Sequence, residues 1–180
     1  MALAALLGSS AMAADNEVPT PSYRIQPGDG LQVSVWHEAE LQKEVVVLPD
    51  GWIALPLVGE IQAAGKTVTE LRLEVTQRLT QFIPDANVTV AVLQPLGNKI
   101  YVLGKVNRPG DFAMVRPLDV LQALTMAGGT ARFAELDKIV IVRREGGKET
   151  TLSFDYGAVA QGQDLDQNVV LRAGDVVVVP

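Results

Sequence analysis

The sequence contains no cysteine, one histidine and few aromatic residues, which make up 5% of its 180 residues. The lack of cysteine excludes disulfides and thiolate metal sites, and we expect no lipid-anchoring lipoprotein cysteine. No run approaches the roughly 18 consecutive apolar residues that a membrane-spanning helix needs. The formal net charge is −6, and no segment gathers Lys and Arg into a stripe, so nucleic acid is not an expected partner.

The composition is that of a globular protein, with 48% hydrophobic and 20% charged residues and no low-complexity tract. The length suits one or two small domains. The first residues predict a secretory signal peptide over 1–13, because an apolar run precedes Ala11-Met12-Ala13. Cleavage is expected between Ala13 and Ala14, which leaves residues 14–22 as a leader. The alternative is an Ala-rich amphipathic or unstructured N-terminus.

Short turn motifs with glycine and aspartate precede several apolar strands. In such turns proline presets φ, glycine supplies a positive φ, and aspartate can accept hydrogen bonds from nearby backbone amides. The predicted structural turns contain Pro27, Gly28 and Asp29; Pro49, Asp50 and Gly51; Pro109 and Gly110, followed by Asp111; and Gly174 and Asp175. Their chemistry explains the aspartates without a metal, and no metal site or cofactor is expected.

The first half alternates strand and helix patterns. Leu31, Val33 and Val35 recur with period two and predict a strand. The runs 45–48 and 52–55 flank Pro49-Asp50-Gly51 and predict a hairpin, which residues 56–61 continue. Thr67 and Glu70 form a capping box for a predicted amphipathic helix, and another strand follows. The apolar positions of that helix and of the next strand are Val68, Leu71, Val75, Leu79 and Phe82, and Val88, Val90 and Val92.

The second half repeats this order. Residues 100–103 and 112–114 predict two strands joined by the Arg108–Asp111 turn, and Pro117 is expected in the first turn of a helix with Leu118, Leu121 and Leu124 on its apolar face. Gly128-Gly129 should end that helix. Residues 139–142 and 151–154 predict a hairpin, and 168–171 and 176–179 close the chain around the last turn.

Both halves therefore predict an α+β fold of two small β-grasp-like units, each a mixed sheet with one packed helix. Their expected bounds are 23–95 and 96–180. Residues 93–98 should be a short link rather than a flexible tether.

These motifs also carry a family resemblance. Tyr23-Arg24-Ile25-Gln26-Pro27-Gly28-Asp29, then Leu48-Pro49-Asp50-Gly51, then the stretch 55–61 are similar to the polysaccharide export domain of outer-membrane polysaccharide export proteins. The second half resembles the soluble-ligand-binding β-grasp (SLBB) domain that follows it. The matching segments there are Val102 to Val106, Arg108-Pro109-Gly110, Ala127-Gly128-Gly129 and Ala173-Gly174-Asp175-Val176.

The resemblance implies a non-enzymatic part of a conduit for a secreted exopolysaccharide or capsule in the bacterial envelope. It implies a homo-oligomeric ring and an inner-membrane co-polymerase or export partner. Larger capsule exporters carry a lipidated cysteine, extra β-grasp repeats and a C-terminal amphipathic helix. This sequence has no cysteine, has one such repeat and ends at Pro180, so we expect a periplasmic member that associates with the outer membrane through partners and needs a separate outer-membrane pore.

Several residues have alternative interpretations. His37 could be a ligand, but without a second histidine it is expected at a strand end or on the surface. Glu38, Glu40 and Glu44 could include a carboxylate pair for glycoside cleavage, but a solvated face explains them better. Trp52 and Tyr101 could stack on sugar rings, although a core position is the expectation. Two other functions stay open: a soluble periplasmic module that binds a glycan or small ligand, and a carboxylate-dependent polysaccharide hydrolase.

Overall fold

The computed structural model describes residues 22–180. Its elements are β1 (Gly30–Val35), β2 (Glu38–Val46), β3 (Trp52–Leu55), β4 (Gly59–Gln62), α1 (Val68–Leu79), β5 (Val88–Gln94), β6 (Lys99–Gly104), β7 (Gly110–Ala113), α2 (Val120–Met126), β8 (Ile139–Glu145), β9 (Lys148–Phe154), α3 (Tyr156–Ala160) and β10 (Val176–Val179), with a 3₁₀ turn at Leu165–Gln167. The predicted signal peptide, its cleavage site and nearly all of the leader lie outside the described residues.

The first unit is built around β1, which lies between β2 and β5 in an antiparallel sheet. The alternation of β1 buries Leu31, Val33 and Val35 on one face, as expected for a strand with one wet side. Helix α1 packs its buried Leu71 and Val75 against this core. The outer strand β2 is almost wholly exposed and rich in charge, which keeps an edge strand from pairing with other chains.

Helix α1 begins as the capping box predicts. The Thr67 side chain accepts a hydrogen bond from the Glu70 backbone N–H at 3.2 Å, and the Glu70 carboxylate accepts one from the Thr67 N–H at 2.7 Å. These two bonds satisfy amides that have no partner inside the helix. The pKa of Glu70 is lowered chiefly by its hydrogen bond from the Thr67 backbone.

The second unit has a five-stranded sheet in the order β7-β6-β10-β8-β9. The last strand, β10, enters its middle, parallel to β6 and antiparallel to β8. Helices α2 and α3 contribute Val120, Leu124 and Val159 to a core that is separate from that of the first unit. An Asp119 cap with Gln122 begins α2, and Gly128 and Gly129 follow it at φ +77° and +80°, as predicted for its end.

The α+β class with small β-grasp-like units is confirmed, although the sheets of the first unit are antiparallel throughout and the mixed sheet belongs to the second unit. The second unit also packs two helices, α2 and α3, on its sheet instead of the one predicted. The β8–β9 hairpin is also confirmed. Its turn contains Gly146 and Gly147, both at positive φ, which suits the right-handed twist of paired strands.

Three local predictions for the first unit and α2 are wrong. Strand β3 pairs with β4 and not with β2: the Leu48 N–H donates to the Trp52 carbonyl at 2.9 Å across the turn, but no ladder between β2 and β3 continues from this bond. Phe82 is 56% exposed, since α1 ends three residues earlier at Leu79. Pro117 precedes the Asp119 cap of α2 instead of lying in its first turn.

Two predictions for strand ends in the second unit also need correction. Residues 168–171 form no strand, and only an isolated bridge joins Val170 to Asp119. Gly110 already begins β7 and has no positive φ. The turn therefore lies before Gly110, and Asp111 is a strand residue whose side chain pairs with Lys99 at 3.2 Å.

Candidate functional site

Two buried aspartates fix the turns that open and close the folded chain. Asp29 and Asp175 are 0% and 1% exposed, and they are the buried charged residues among 22–180. In each turn the aspartate N–H donates to the carbonyl three residues earlier, Asp29 to Gln26 at 3.1 Å and Asp175 to Arg172 at 3.0 Å. The turn glycines Gly28 and Gly174 have φ +91° and +85°, the region that glycine enters without steric cost.

The two carboxylates are satisfied by different partners. Asp29 accepts hydrogen bonds from the Tyr23 hydroxyl at 2.5 Å, the Gln26 N–H at 2.8 Å and the Gly97 N–H at 2.9 Å. The negative charge of the Asp29 carboxylate is thus stabilised by neutral hydrogen-bond donors only. Burial raises the pKa of Tyr23 well above its ordinary value, and the hydrogen bond to Asp29 and the charge of that carboxylate add to the effect.

Asp175 instead meets a cation. Arg143 donates from Nε to Oδ1 at 3.0 Å and from Nη2 to Oδ2 at 2.6 Å, and the Arg172 N–H donates to Oδ2 at 2.8 Å. The side chain of Arg143 is only 15% exposed. Its hydrogen bond to Asp175 raises the pKa of the guanidinium. Because Arg143 lies on β8 and Asp175 immediately precedes β10, the two parallel hydrogen bonds connect these strands.

The first of these turns also anchors the link between the units. Besides donating to Asp29, Gly97 lies so close to the turn that a Cβ would come within 2.3 Å of the Pro27 carbonyl oxygen. The next residue, Asn98, exchanges hydrogen bonds with Met114 in the second unit. The link is therefore bonded on both sides.

The remaining predicted turn residues are exposed or structural. Gly51 has φ +89°, and its N–H donates to the Leu48 carbonyl at 2.8 Å. Asp50 accepts the Trp52 N–H at 3.2 Å. Pro49 and Pro109 are exposed. The 49–51 turn lies near the 27–29 turn, because Val47 exchanges backbone hydrogen bonds with Gly28 and Asp29.

The sugar-stacking candidates lie on the surface. Trp52 is 38% and Tyr101 is 41% exposed, so the expectation of core positions is wrong. Both side chains occupy solvent-facing positions of strands in which exposed and buried residues alternate, and their neighbours Ile53 and Val102 are buried. The other tryptophan, Trp36, is 72% exposed.

The candidate acidic and histidine residues do not form a metal-binding cluster among the residues that the structure describes. In the part of the chain that the structure describes, no group of three or more His, Asp or Glu residues could hold a metal ion, and no helix is long and apolar enough to cross a membrane. Glu38, Glu40 and Glu44 are exposed along β2, as the solvated-face interpretation predicts. His37 is exposed in the turn after β1, with φ +65°.

The Trp36–His37 turn borders a surface concavity. It is an open cleft of about 440 Å³. The cleft lies on the solvent face of the β1–β2–β5 sheet, where Thr89 pairs with Ser34. Sequence reasoning missed Trp36, although the alternation of β1 and the following turn together place its side chain outside the core.

Comparisons with known proteins agree with this architecture. Residues 17–93 match the family described as polysaccharide biosynthesis/export protein, and residues 98–179 match the SLBB domain. Both domains of polysaccharide export proteins are therefore present in this chain. This confirms the resemblance found in the sequence.

Curated relatives carry names that state the export, transport or production of a polysaccharide. The chain is 33% identical to the EPS I polysaccharide export outer membrane protein EpsA of Ralstonia nicotianae, over 86% of this chain and 46% of that protein. It is 34% identical to the polysialic acid transport protein KpsD of Escherichia coli, over 61% of this chain and 20% of that one. It is 32% identical to the exopolysaccharide production protein ExoF of Rhizobium meliloti, over 71% and 33%. The chain spans less than half the length of these relatives.

Proposed function

We propose that this protein is a non-enzymatic component of a polysaccharide export conduit in the bacterial envelope, for an exopolysaccharide or a capsule. The observation that carries the proposal is the order of its two domains, an export domain followed by an SLBB domain, in a chain whose relatives are named for polysaccharide export or transport. The structure supports it with two units that each have a hydrophobic core and with a link hydrogen-bonded to both.

The protein works in the periplasm against the outer membrane. It assembles as a homo-oligomeric ring, because one small unit encloses no lumen for a polymer and head-to-tail contacts close into rings when the rotation allows. An inner-membrane co-polymerase or export protein delivers the glycan, and an outer-membrane pore completes the path. Its role is to offer polar walls, and its charge of −6 weakly repels an anionic glycan rather than retaining it.

Deletion of the gene in a polysaccharide-producing strain tests this function. We expect surface and secreted polysaccharide to disappear while precursors accumulate inside the cell, and the full gene in trans to restore export. Unchanged secretion would contradict the export role and favour soluble ligand binding. Secretion of longer chains than the parent strain makes would instead indicate a hydrolase.

Assembly and location are tested in the complemented strain. We expect osmotic shock to release the protein with the periplasmic contents, and cross-linking in cells that make polysaccharide to give a ladder ending in one closed oligomer. A protein that stays monomeric under cross-linking in those cells would contradict the ring.

A further inference from the structure

The cleft beside the β1–β2 turn has the composition of a carbohydrate site. Its lining includes Trp36, His37, Glu38, Gln42, Asn87 and Thr89. Its volume of about 440 Å³ falls in the range of roughly 300–1,000 Å³ that is typical of small-molecule sites. Neither the turn chemistry of the two buried aspartates nor the core of the first unit uses these side chains.

Trp36 is exposed and yet held in place. Its backbone N–H donates to the Asn87 carbonyl at 2.9 Å. Its indole stands at 83° to the His37 ring, with centroids 4.9 Å apart, an edge-to-face contact that favours one orientation. Because 72% of the residue stays accessible, this arrangement presents an aromatic surface to solvent instead of filling the core.

The polar groups around the indole are free to bind a ligand. Gln42 and Asn87 can each donate and accept hydrogen bonds, the Thr89 hydroxyl can do both, and Glu38 can accept. All four residues are exposed. Within residues 22–180 none of these side chains hydrogen-bonds to another protein group, whereas many other polar side chains of the chain do.

A sugar ring has an apolar C–H face and an edge of hydroxyl groups, so it matches an indole surrounded by carboxamides, a hydroxyl and a carboxylate. A protein partner would need a broader apolar surface that excludes water around the tryptophan, and the cleft has mainly polar neighbours. The lining contains one carboxylate and no Lys or Arg, which disfavours anionic sugars such as uronates.

We propose that Trp36 stacks on a neutral sugar residue of the exported polysaccharide, while Gln42 and Asn87 hydrogen-bond to its hydroxyl groups. This inference rests on the proposed function, since it takes the transported polymer as the ligand. The site is a weak, transient contact, because an open cleft buries only one face of a sugar and lets the chain move on.

The sequence offers a direct probe of this site, since Trp36 and Trp52 are its two tryptophans. A Trp52→Phe variant of the full chain leaves Trp36 as the one tryptophan, whose emission is excited selectively at a wavelength that tyrosine does not absorb. The ligand is the secreted polysaccharide of the producing strain, cut by partial hydrolysis to short oligosaccharides and separated into neutral and uronate-containing fractions. Where the polymer gives no neutral fraction, oligosaccharides whose uronate carboxyl groups have been reduced to hydroxymethyl groups replace it. We expect a saturable change in Trp36 emission with neutral oligosaccharide and a weaker response to the uronate-containing fraction.

Binding by variants is then measured with saturation-transfer NMR, which needs no tryptophan signal. We expect Trp36→Ala to weaken binding about tenfold or more, as loss of one stacking contact does, and Gln42→Ala or Asn87→Ala to weaken it about threefold to tenfold. Trp52→Ala is the matched control and should bind like the parent. Because Trp36 is exposed, its variant should keep the parent's thermal midpoint.

Equal affinity of the Trp36→Ala and Trp52→Ala variants, or an unresponsive Trp36 with every fraction, would overturn the site. If Trp36→Ala instead leaves sugar binding intact and abolishes cross-linking between copies, the turn is a protein contact and the proposal is wrong. The gene deletion separates this failure from that of the function: a deletion that blocks export while Trp36→Ala binds normally refutes the site alone.

Discussion

Replacement of Asp175 by asparagine should destabilise the second unit strongly, even though the side chain keeps its shape. The carboxylate accepts both bonds of the Arg143 fork and one from the Arg172 N–H. Asparagine offers one oxygen, so its NH₂ group must face an N–H donor. It also leaves a guanidinium that is 15% exposed without its counter-charge.

Removal of one partner from a buried ion pair costs about 3–5 kcal/mol. A domain is stable by only about 5–15 kcal/mol, and in a unit of this size about 1 kcal/mol lowers the melting temperature by about 4–8 °C. We therefore expect Asp175→Asn to lower the melting temperature of the second unit by about 12 °C or more.

The assay is thermal and urea unfolding followed by far-UV circular dichroism, with tryptophan emission as a separate report on the first unit, which contains Trp36 and Trp52. Asp111→Asn is the matched control: it removes the same charge, and Asp111 pairs with Lys99 at a side chain that is 57% exposed. The hydrogen bond from Lys99 lowers the pKa of Asp111, but solvent screens such a pair. Equal stability of the two variants would refute the role assigned to the buried fork.

Two further predictions concern the first turn. Burial and Asp29 raise the pKa of Tyr23 above its ordinary value of 10, so the fold favours the protonated phenol; its contribution is full below pH 10 and is lost as the pH rises further. Between pH 8 and pH 11 the urea midpoint of unfolding should therefore decrease more in the parent than in the Tyr23→Phe variant. Equal decreases in the two proteins would contradict this. Gly28→Val should cost about 1–2 kcal/mol or more, because Gly28 has φ +91° while no side-chain atom crowds the position. A tryptophan-monitored melt equal to that of the parent would show that the turn relaxes.

Much of the local structure follows from neighbouring residues. The Thr67–Glu70 capping box predicts where α1 begins, since the bonds involved join residues three apart. The alternation of Leu31, Val33 and Val35 predicts which face of β1 is buried. The glycines at 146 and 147 predict the β8–β9 hairpin. The family resemblance, too, depends on short motifs in a fixed order, which can be read along the chain.

What the sequence alone determined is therefore the class of the two units, most of their strands and helices, and the family. Tertiary structure decided which strands pair and which side chains meet: β3 with β4, β10 beside β6, Asp175 with Arg143 and Asp29 with Gly97. The last two contacts join residues 32 and 68 positions apart. Strand pairing and side-chain exposure depend on where distant segments of the chain pack. A periodic sequence pattern predicts that one face of a strand or helix is buried, but it does not identify the segment that covers this face. The exposed Trp36 is such a case, because only the packed sheet shows that its indole borders an open polar cleft.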